Sequence, residues 1–282
     1  MASDKPVPAF GLIIIGDEIM SGKRADKHLP AVIERLHARG LQLAYADYVG
    51  DVRARITSSL ERAFASSDVV FSCGGIGATP DDHTRQCAAL ALGVPLQLHP
   101  QARILIEERM HDVAREQGVS FEPDRADNRH RLNMGVFPGG CDIIPNPYNK
   151  IPGFTCRASD GTGAGAGAIH FVPGFPVMAW PMIEWVLDTL YADCFHRVHQ
   201  LEKSVIVFDG MEATLTPLME EVERRFQGVR VFSLPSVDHP QLGRHIELGV
   251  KGVASDVDAA YAALCEGLKP FNVRLGPELV RT

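Results

Sequence analysis

Apolar runs alternate with segments of helical spacing through the first half of the chain. Phe10–Ile15 and Val69–Cys73 are almost continuous apolar runs, typical of strands covered on both faces. Between them, about Lys27–Arg39 predicts a helix that stops at Gly40, and about Leu41–Val49 predicts a second strand. Because strands and helices alternate, we expect an α/β fold with an open, mostly parallel sheet and helices on both faces.

Two further features extend the first domain. Asp51 stands where the N-cap of the next helix is expected, ahead of Ile56, Leu60 and Phe64. Much later, the Gly- and Ala-rich run Ala158–Ala168 predicts a flexible surface hairpin tip. A returning strand and a helix over about Met178–Leu190 then complete a domain that we place at residues 1–195.

The pattern changes after residue 195. The remaining segments predict, in order, a strand, a helix, two strands and a helix, at Ser204–Phe208, Thr214–Phe226, Val229–Ser233, Arg244–Val250 and Val257–Leu268. This β-α-β-β-α order predicts a small α+β sandwich at residues 196–282.

Composition narrows the class of protein. The chain has 282 residues, a formal net charge of −7 and 45% hydrophobic residues, a mixture typical of globular domains. Mild acidity without a basic run argues against nucleic acid or a membrane surface as the main partner. We find no signal peptide and no apolar run of about 20 residues, so we expect a cytoplasmic protein.

Polar residues follow each of the first three predicted strands. They are Asp17 and Glu18 after the first strand, Asp51 after the second, and the loop Gly74–Gly77 with Asp81 and Asp82 after the third. Open parallel sheets bind their ligands at the carboxyl ends of the strands. We therefore expect these residues to converge on one site.

The glycine-rich loop is neither a Walker A loop nor a dinucleotide-binding fingerprint, because its spacing is G-G-x-G without a following Gly-Lys-Ser/Thr. Its backbone N–H groups, near a helix that begins at about Thr84, suit a phosphate group. Asp81 and Asp82 suit a hard divalent cation that bridges to that phosphate. The alternative is a strand-end turn followed by an ordinary helix start.

Several motifs in fixed order resemble the MoaB/Mog family of molybdopterin-binding domains, and within it the N-terminal branch of CinA-type proteins. The motifs are Gly16-Asp-Glu-Ile-Met-Ser-Gly22 with Asp26, Val49-Gly-Asp51, Gly74-Gly-Ile-Gly77 with Asp81-Asp-His-Thr84, Pro145-Asn-Pro147 with Pro152-Gly153, and Val172-Pro-Gly-Phe-Pro176. The segment after residue 200 is similar to the small domain that follows in CinA-type proteins. We expect the chain, which ends at Thr282, to lack their C-terminal amidase domain.

The resemblance implies two kinds of chemistry. Mog-type relatives bind molybdopterin and act in its adenylylation or in metal insertion, with acidic residues that match Asp51 and Asp82. CinA-type and FAD-synthetase-linked relatives are associated with divalent-metal-dependent hydrolysis of the pyrophosphate in ADP-ribose or FAD. We expect the second activity, and as alternatives a non-hydrolytic molybdopterin- or nucleotide-binding module or a cofactor adenylylation or metal-insertion protein. A homo-oligomer, dimer or trimer, is also implied.

Each candidate residue takes a role in this scheme. The expected catalytic residues are Asp82, Glu18 and Asp51; the phosphate-binding residues are Gly74, Gly75, Ile76, Gly77, Thr79, Thr84 and Lys150; the ligands of Mg²⁺, Mn²⁺ or Co²⁺ are Asp17, Asp81 and Asp82. The ligand is a small phosphate compound, either molybdopterin or an adenine dinucleotide.

The chain departs from the family pattern at four positions. His28 replaces an asparagine, Ala78 replaces a proline, Lys150 enters a glycine-containing motif, and Met178 stands where relatives have a glutamate. Loss of that glutamate favours a protein that binds without turnover, whereas the retained aspartates favour an enzyme.

Overall fold

A computed structural model describes residues 6–158, 167–197 and 200–281. Its contacts divide the chain into two compact units, Met1–Phe195 and His196–Thr282. Most of the hairpin tip predicted at Ala158–Ala168 lies outside the described residues. No helix within the described ranges is long and apolar enough to cross a membrane.

The first unit contains eight strands and seven helices among its described residues. In chain order they are β1 (Phe10–Ile15), α1 (Asp17–Met20), α2 (His28–His37), β2 (Leu43–Val49), α3 (Arg53–Phe64), β3 (Val69–Cys73), α4 (Thr84–Leu92), β4 (Leu96–Leu98), α5 (Pro100–Glu116), α6 (Ala126–Leu132), β5 (Val136–Pro138), β6 (Asp142–Ile144), β7 (Gly153–Arg157), β8 (Ala168–Val172) and α7 (Pro176–Leu190).

The main sheet of this unit has the strand order β2-β1-β3-β8-β7-β6. Strands β2, β1, β3 and β8 are parallel, and β7 is the strand that runs against them. Every residue of β1, β3 and β8 is buried, as expected of strands covered on both faces. The expected α/β fold with a mostly parallel sheet is confirmed.

Helices cover both faces of the sheet. On one face, Ile13 and Phe171 pack in a core with residues of α3, α4 and α5. On the other face, Leu12 and Phe71 pack in a core with residues of α2 and α7. The apolar residues of β1 therefore alternate between two cores, which fixes the register of the strand and the direction in which its carboxyl end points.

The predicted N-cap role of Asp51 is wrong. Helix α3 begins one residue later than that role requires, with Val52 in the N-cap position and no side-chain cap. The Asp51 carboxylate instead accepts a hydrogen bond from the backbone N–H of Asp17, 2.8 Å away. The Asp51 side chain therefore binds the backbone at the start of α1 and does not cap α3.

The second unit is a four-stranded antiparallel sheet with two helices. Its elements are β9 (Gln200–Phe208), α8 (Glu212–Arg225), β10 (Val229–His239), β11 (Gly243–Val253), α9 (Ala254–Leu268) and β12 (Arg274–Arg281). The strand order is β10-β11-β9-β12. The expected β-α-β-β-α order is present, and β12, which the sequence analysis did not predict, adds the fourth strand beside β9.

Candidate functional site

The loops after the four parallel strands lie side by side at one edge of the first unit. They follow β2, β1, β3 and β8, which are neighbours in the sheet in that order. Backbone hydrogen bonds tie them together, with Gly16 N donating to Val49 O at 3.0 Å and Gly74 N donating to Val172 O at 3.1 Å. The topology therefore brings the predicted acidic residues and the glycine loop to the same edge.

Asp17 and Asp51 connect the first two loops by a reciprocal pair of hydrogen bonds. Asp17 N–H donates to Asp51 Oδ2 at 2.8 Å, and Asp51 N–H donates to Asp17 Oδ1 at 3.0 Å. A Cβ at Gly50 would stand 2.5 Å from Asp17 Oδ1, so the sequence Gly50-Asp51 allows the close approach. One oxygen of each carboxylate is thus used in holding the loops.

The glycine loop is fixed by the first residue of α4. Thr84 is fully buried; its Oγ1 donates to Gly74 O at 3.1 Å, and its backbone N–H donates to Gly75 O at 3.0 Å. Gly74 and Gly75 have φ angles of +108° and +68°, and a Cβ on either would collide, at Gly74 with Ile15 O and at Gly75 with Thr84 Oγ1. Glycine is therefore required at both positions.

Two charged residues shape the end of this loop. Asp82 Oδ2 accepts from Thr79 N at 2.8 Å and from Thr79 Oγ1 at 2.6 Å, closing a short turn. Arg85 is buried on α4 and donates through Nη2 to Gly77 O at 2.6 Å and through Nη1 to Asn133 O. The backbone N–H groups of the loop are consequently held in one arrangement before any ligand is bound.

A cavity of about 700 Å³ opens over this loop. Nine of the predicted site residues line it: Glu18, Asp51, Gly74, Gly75, Ile76, Gly77, Thr79, Asp81 and Asp82. The structure does not place Asp17, Thr84 or Lys150 in its lining. Asp17 and Thr84 contribute indirectly, because their hydrogen bonds, described above, hold the loops that line the cavity.

Lys150 extends toward helix α5. Its Nζ lies 2.7 Å from Asp112 Oδ2 and 3.6 Å from Glu108 Oε2, and the hydrogen bond that it donates to Asp112 raises the pKa of Lys150. Its backbone has a φ of +66°, in the left-handed region. The predicted phosphate contact of Lys150 is therefore replaced by ion pairs outside the cavity lining.

Other lining residues were missed by the sequence analysis. Lys23 and Arg24 bring positive charge, Asn146 and Asn149 bring amides, and Phe175 brings an aromatic ring. Lys23 and Arg24 follow Gly22, close in sequence to the end of β1. This position could have indicated both as site residues. The sequence analysis names Asn146 only within the motif Pro145-Asn-Pro147. The residue is 4% exposed, and its Nδ2 donates to Asn149 Oδ1 and to Ile151 O.

The carboxylates of the cavity lining form an acidic wall whose negative charge is not balanced by close positive charges. They belong to Glu18, Asp51, Asp81 and Asp82. Burial, followed by repulsion from Asp17, Glu18 and Asp81, raises the pKa of Asp51 above its ordinary value, although the hydrogen bond from the Asp17 backbone opposes this. Asp81 is exposed, and the Thr79 side chain, a hydrogen-bond donor to carboxylates, lowers its pKa. Near Glu18, Arg24 Nη1 is 4.0 Å from Oε1, a distance too long for strong compensation.

These acids do not form a closed metal site. Across residues 6–158, 167–197 and 200–281, no three His, Cys, Asp or Glu side chains form a group that could hold a metal ion. Mg²⁺ is commonly held by one or two carboxylates together with phosphate oxygens of a substrate. Asp51 and Asp81 line the cavity and fit that open arrangement, with one oxygen of Asp51 accepting from Asp17 N–H. Asp17 lies outside the lining, and Oδ2 of Asp82 accepts two hydrogen bonds from Thr79.

Met178 lies in the cavity wall at the position that the family resemblance assigns to a glutamate. Asn149 Nδ2 donates to its sulfur at 3.3 Å, and Asn149 Oδ1 accepts from Asn146 Nδ2 at 2.8 Å. These three residues therefore bring a thioether and two amides, and no charge, to the position that the resemblance assigns to a glutamate.

Known proteins match both the sequence and the fold. The family described as "Probable molybdopterin binding domain" matches residues 11–192. A CinA-like protein of Anaeromyxobacter sp. (strain K) is 32% identical over 177 residues, covering 62% of this chain and 40% of its own. A protein of Thermoplasma acidophilum is 27% identical over 274 residues, covering 96% of this chain and 95% of its own.

Among solved structures, the protein CinA of Thermoplasma acidophilum, described as of unknown function, has a TM-score of 0.52 and 24% identity, covering 64% of this chain and 97% of its own. That likeness shows the fold. The chain spans about 40% of the length of the CinA-like relatives that it matches. By its match over residues 11–192, the chain belongs to the family of probable molybdopterin binding domains, the MoaB/Mog family, and it has CinA-like relatives.

Proposed function

We propose that the loop cavity binds a phosphate compound with a fused-ring head, either molybdopterin or an adenine dinucleotide such as ADP-ribose or FAD. The observation that carries this proposal is the cavity of about 700 Å³ above the fixed Gly74–Gly77 loop. Its volume lies within the usual range of about 300–1,000 Å³ for small-molecule sites. The loop N–H groups provide donors of the kind that bind phosphate.

Lys23 and Arg24 support the same ligand class. Both line the cavity, which otherwise carries Glu18, Asp51, Asp81 and Asp82. A phosphate next to these carboxylates needs positive charge between itself and the carboxylates, because like charges at short range repel strongly. The two side chains provide part of it, and a divalent cation would provide the rest.

Hydrolysis of the pyrophosphate is a second candidate function, favoured by the raised pKa of Asp51 beside Asp17, Glu18 and Asp81. Asp51 and Asp81 would hold Mg²⁺, Mn²⁺ or Co²⁺ together with phosphate oxygens of the ligand. A cation bound there would neutralise the pyrophosphate and favour attack on phosphorus. Glu18 would orient the attacking water, since its carboxylate lines the cavity and no close cation compensates it.

Met178 argues for binding without turnover. If relatives use a glutamate at this position to bind the cation or to activate water, the thioether of Met178 cannot replace it. Oδ2 of Asp82 accepts both hydrogen bonds from Thr79 and stabilises the turn, while the expected catalytic role of Asp82 stays a prediction.

Binding and turnover are tested with the same ligands. Calorimetric titration with ADP-ribose, FAD and molybdopterin, each with and without Mg²⁺, should give saturable binding of one ligand. Binding of none of them contradicts the proposal. Incubation with Mg²⁺, Mn²⁺ or Co²⁺ and chromatography for AMP then measures hydrolysis.

Glu18→Gln is the informative variant for hydrolysis, and Glu61→Gln, exposed on α3, is its matched control. Metal-dependent AMP release that falls about 100-fold in Glu18→Gln alone supports the hydrolase. Ligand binding without AMP release from any substrate supports the binding module. Consumption of ATP only with molybdopterin present supports adenylylation instead.

A further inference from the structure

A second, smaller pocket opens beside the loop cavity. Its volume is about 290 Å³, and its lining shares Glu18, Arg24, Gly174 and Phe175 with the larger cavity. The volume lies at the lower end of the range for ligand sites, so it suits one bicyclic ring and not a dinucleotide. Because the two spaces share these walls, one ligand can occupy both.

One part of the lining of this side pocket is apolar, and Glu18, Arg24 and Lys27 form a charged part. Ile14 and Cys73, from β1 and β3, are buried, and Ile19 and Pro176 complete the apolar lining. Burial raises the pKa of the Cys73 thiol far above its ordinary value, so the sulfur behaves as a small apolar surface. Such walls favour the faces of an aromatic ring over a phosphate or a sugar.

Phe175 lines both spaces. Its backbone is fixed, because its carbonyl oxygen accepts from Met178 N at 3.0 Å and from Ala179 N at 2.9 Å, while Pro176 restricts the next residue. Its side chain remains 57% exposed. A half-exposed aromatic ring on a fixed backbone is a suitable platform for stacking, since little conformational entropy is lost when a ligand covers it.

His28 gives the side pocket a polar group that needs a hydrogen-bond partner. The residue is 5% exposed and its Nε2 lies 3.0 Å from Gly174 O. Because a carbonyl oxygen only accepts, Nε2 carries a proton, and in the neutral imidazole Nδ1 is then a hydrogen-bond acceptor. Nδ1 is buried without a partner among the described residues. An amino group on a ligand ring is the donor that this nitrogen lacks.

From these features we infer that the side pocket binds the heterocyclic ring of the ligand, stacked on Phe175 and with a ring amino group directed toward His28. The inference rests on the proposed function for the phosphate end, which it deepens by placing the ring. The phosphate lies at the Gly74–Gly77 loop and the ring lies beyond Phe175. The pocket therefore selects aminated bicyclic rings, such as adenine or a pterin, over rings with a carbonyl in place of the amine.

The test separates the ring from the phosphate. Affinities of AMP, IMP and ribose 5-phosphate are measured for the wild-type chain, for Phe175→Ala and for Ala25→Phe, which fills the side pocket. The control is Val177→Ala, since Val177 is 53% exposed on α7 and lines neither space. Both test variants should lose about tenfold or more in AMP affinity while ribose 5-phosphate stays within about twofold.

Wild type should prefer AMP over IMP by about fivefold, because IMP has a carbonyl at the amino position. Equal losses for AMP and ribose 5-phosphate in Phe175→Ala, or no loss in either test variant, would overturn the inference.

Crystals soaked with free adenine give a second measurement that does not depend on the phosphate. A ring stacked on Phe175 supports the inference, and a ring bound elsewhere, or none in the side pocket, overturns it. Tight AMP binding with such a negative result leaves the proposed function standing and removes the inference. Adenine bound in the side pocket without any binding of ribose 5-phosphate supports the placement of the ring and contradicts the proposed phosphate site. Absence of all binding contradicts both.

Discussion

Asp17 and Asp51 each accept a hydrogen bond from the backbone N–H of the other, at 3.0 and 2.8 Å. The exchange joins the carboxyl ends of β1 and β2, which are adjacent parallel strands. It also brings two carboxylates close together in a partly buried place. The same contact thus stabilises the loops by hydrogen bonding and destabilises them by charge repulsion.

Replacing Asp51 separates these two effects. Asp51→Asn keeps an oxygen acceptor for Asp17 N–H but removes the charge, so we expect the free energy of unfolding to rise by about 0.5 kcal/mol at pH 7. The folded-state pKa of Asp51 is raised, so its ionisation weakens the fold as the pH rises through that pKa. The gain should therefore vanish as the pH falls toward the ordinary aspartate pKa. Urea unfolding at several pH values measures it.

Asp188→Asn is the matched control, for which we expect the free energy of unfolding to fall and not to rise. Arg39 donates to both oxygens of Asp188, at 2.6 and 2.9 Å, and its hydrogen bond lowers the pKa of that carboxyl. The pair is half-exposed, so the variant should lose at most about 1 kcal/mol at pH 7. This loss should disappear as the pH falls through the lowered pKa. The same sign in both variants would contradict the electrostatic account of Asp51.

The glycine loop gives a steric prediction. Gly74→Ala should destabilise the chain by about 3 kcal/mol, because its positive φ and the collision with Ile15 O both oppose a side chain. Gly118→Ala is the control: its φ is +64°, but nothing lies within 4 Å of its Cβ position, so about 1 kcal/mol is expected. Thermal unfolding compares them. Equal losses would show that close packing at the loop is unimportant.

Lysine variants distinguish the cavity from its surroundings. Lys23→Ala should weaken binding of a phosphate ligand about tenfold, since Lys23 lines the cavity. Lys150→Ala should change the affinity by less than about twofold, because its Nζ is occupied by Asp112 and Glu108 on α5. Titration with ADP-ribose tests both. The reverse order of effects would restore the phosphate role expected for Lys150 from sequence.

The second unit has its own pH-dependent contact. Glu247 is mostly buried; hydrogen bonds from Arg281 and Ser204 lower its pKa. Glu247→Gln should cost about 1–2 kcal/mol at pH 7, and the cost should shrink as the pH falls through the lowered pKa of Glu247. Glu220→Gln, exposed on α8, is the control. A pH-independent cost measured by urea unfolding would contradict the ion-pair explanation.

The sequence predicts those parts of the first unit that depend on burial. The continuous apolar runs gave β1 and β3 with the bounds that the structure has, and parallel connections implied that their ends converge. Short strands such as β6, with three residues, carry too little pattern to be predicted. Helix α5 had a usable signal, since Ala102, Ile106 and Met110 recur every four residues and are buried.

The spacing of residues along the sequence did not predict the direction in which individual side chains point. Lys150 follows a cavity loop in sequence, yet its left-handed backbone accompanies a side chain that pairs with α5. Asp51 was expected to cap α3, and a tertiary hydrogen bond to Asp17 decided otherwise. Both outcomes depend on contacts between residues more than 30 positions apart, which local patterns do not encode.

The central claim is that the Gly74–Gly77 loop and its acidic surroundings form a phosphate-binding site. The most direct measurement is amide hydrogen exchange with and without saturating ADP-ribose or FAD in the presence of Mg²⁺. The account predicts slower exchange in residues 74–79, at Asp51 and at Gly174–Phe175, with residues 200–281 unchanged. Protection confined to other parts of the chain, or none with a ligand shown to bind, would contradict it.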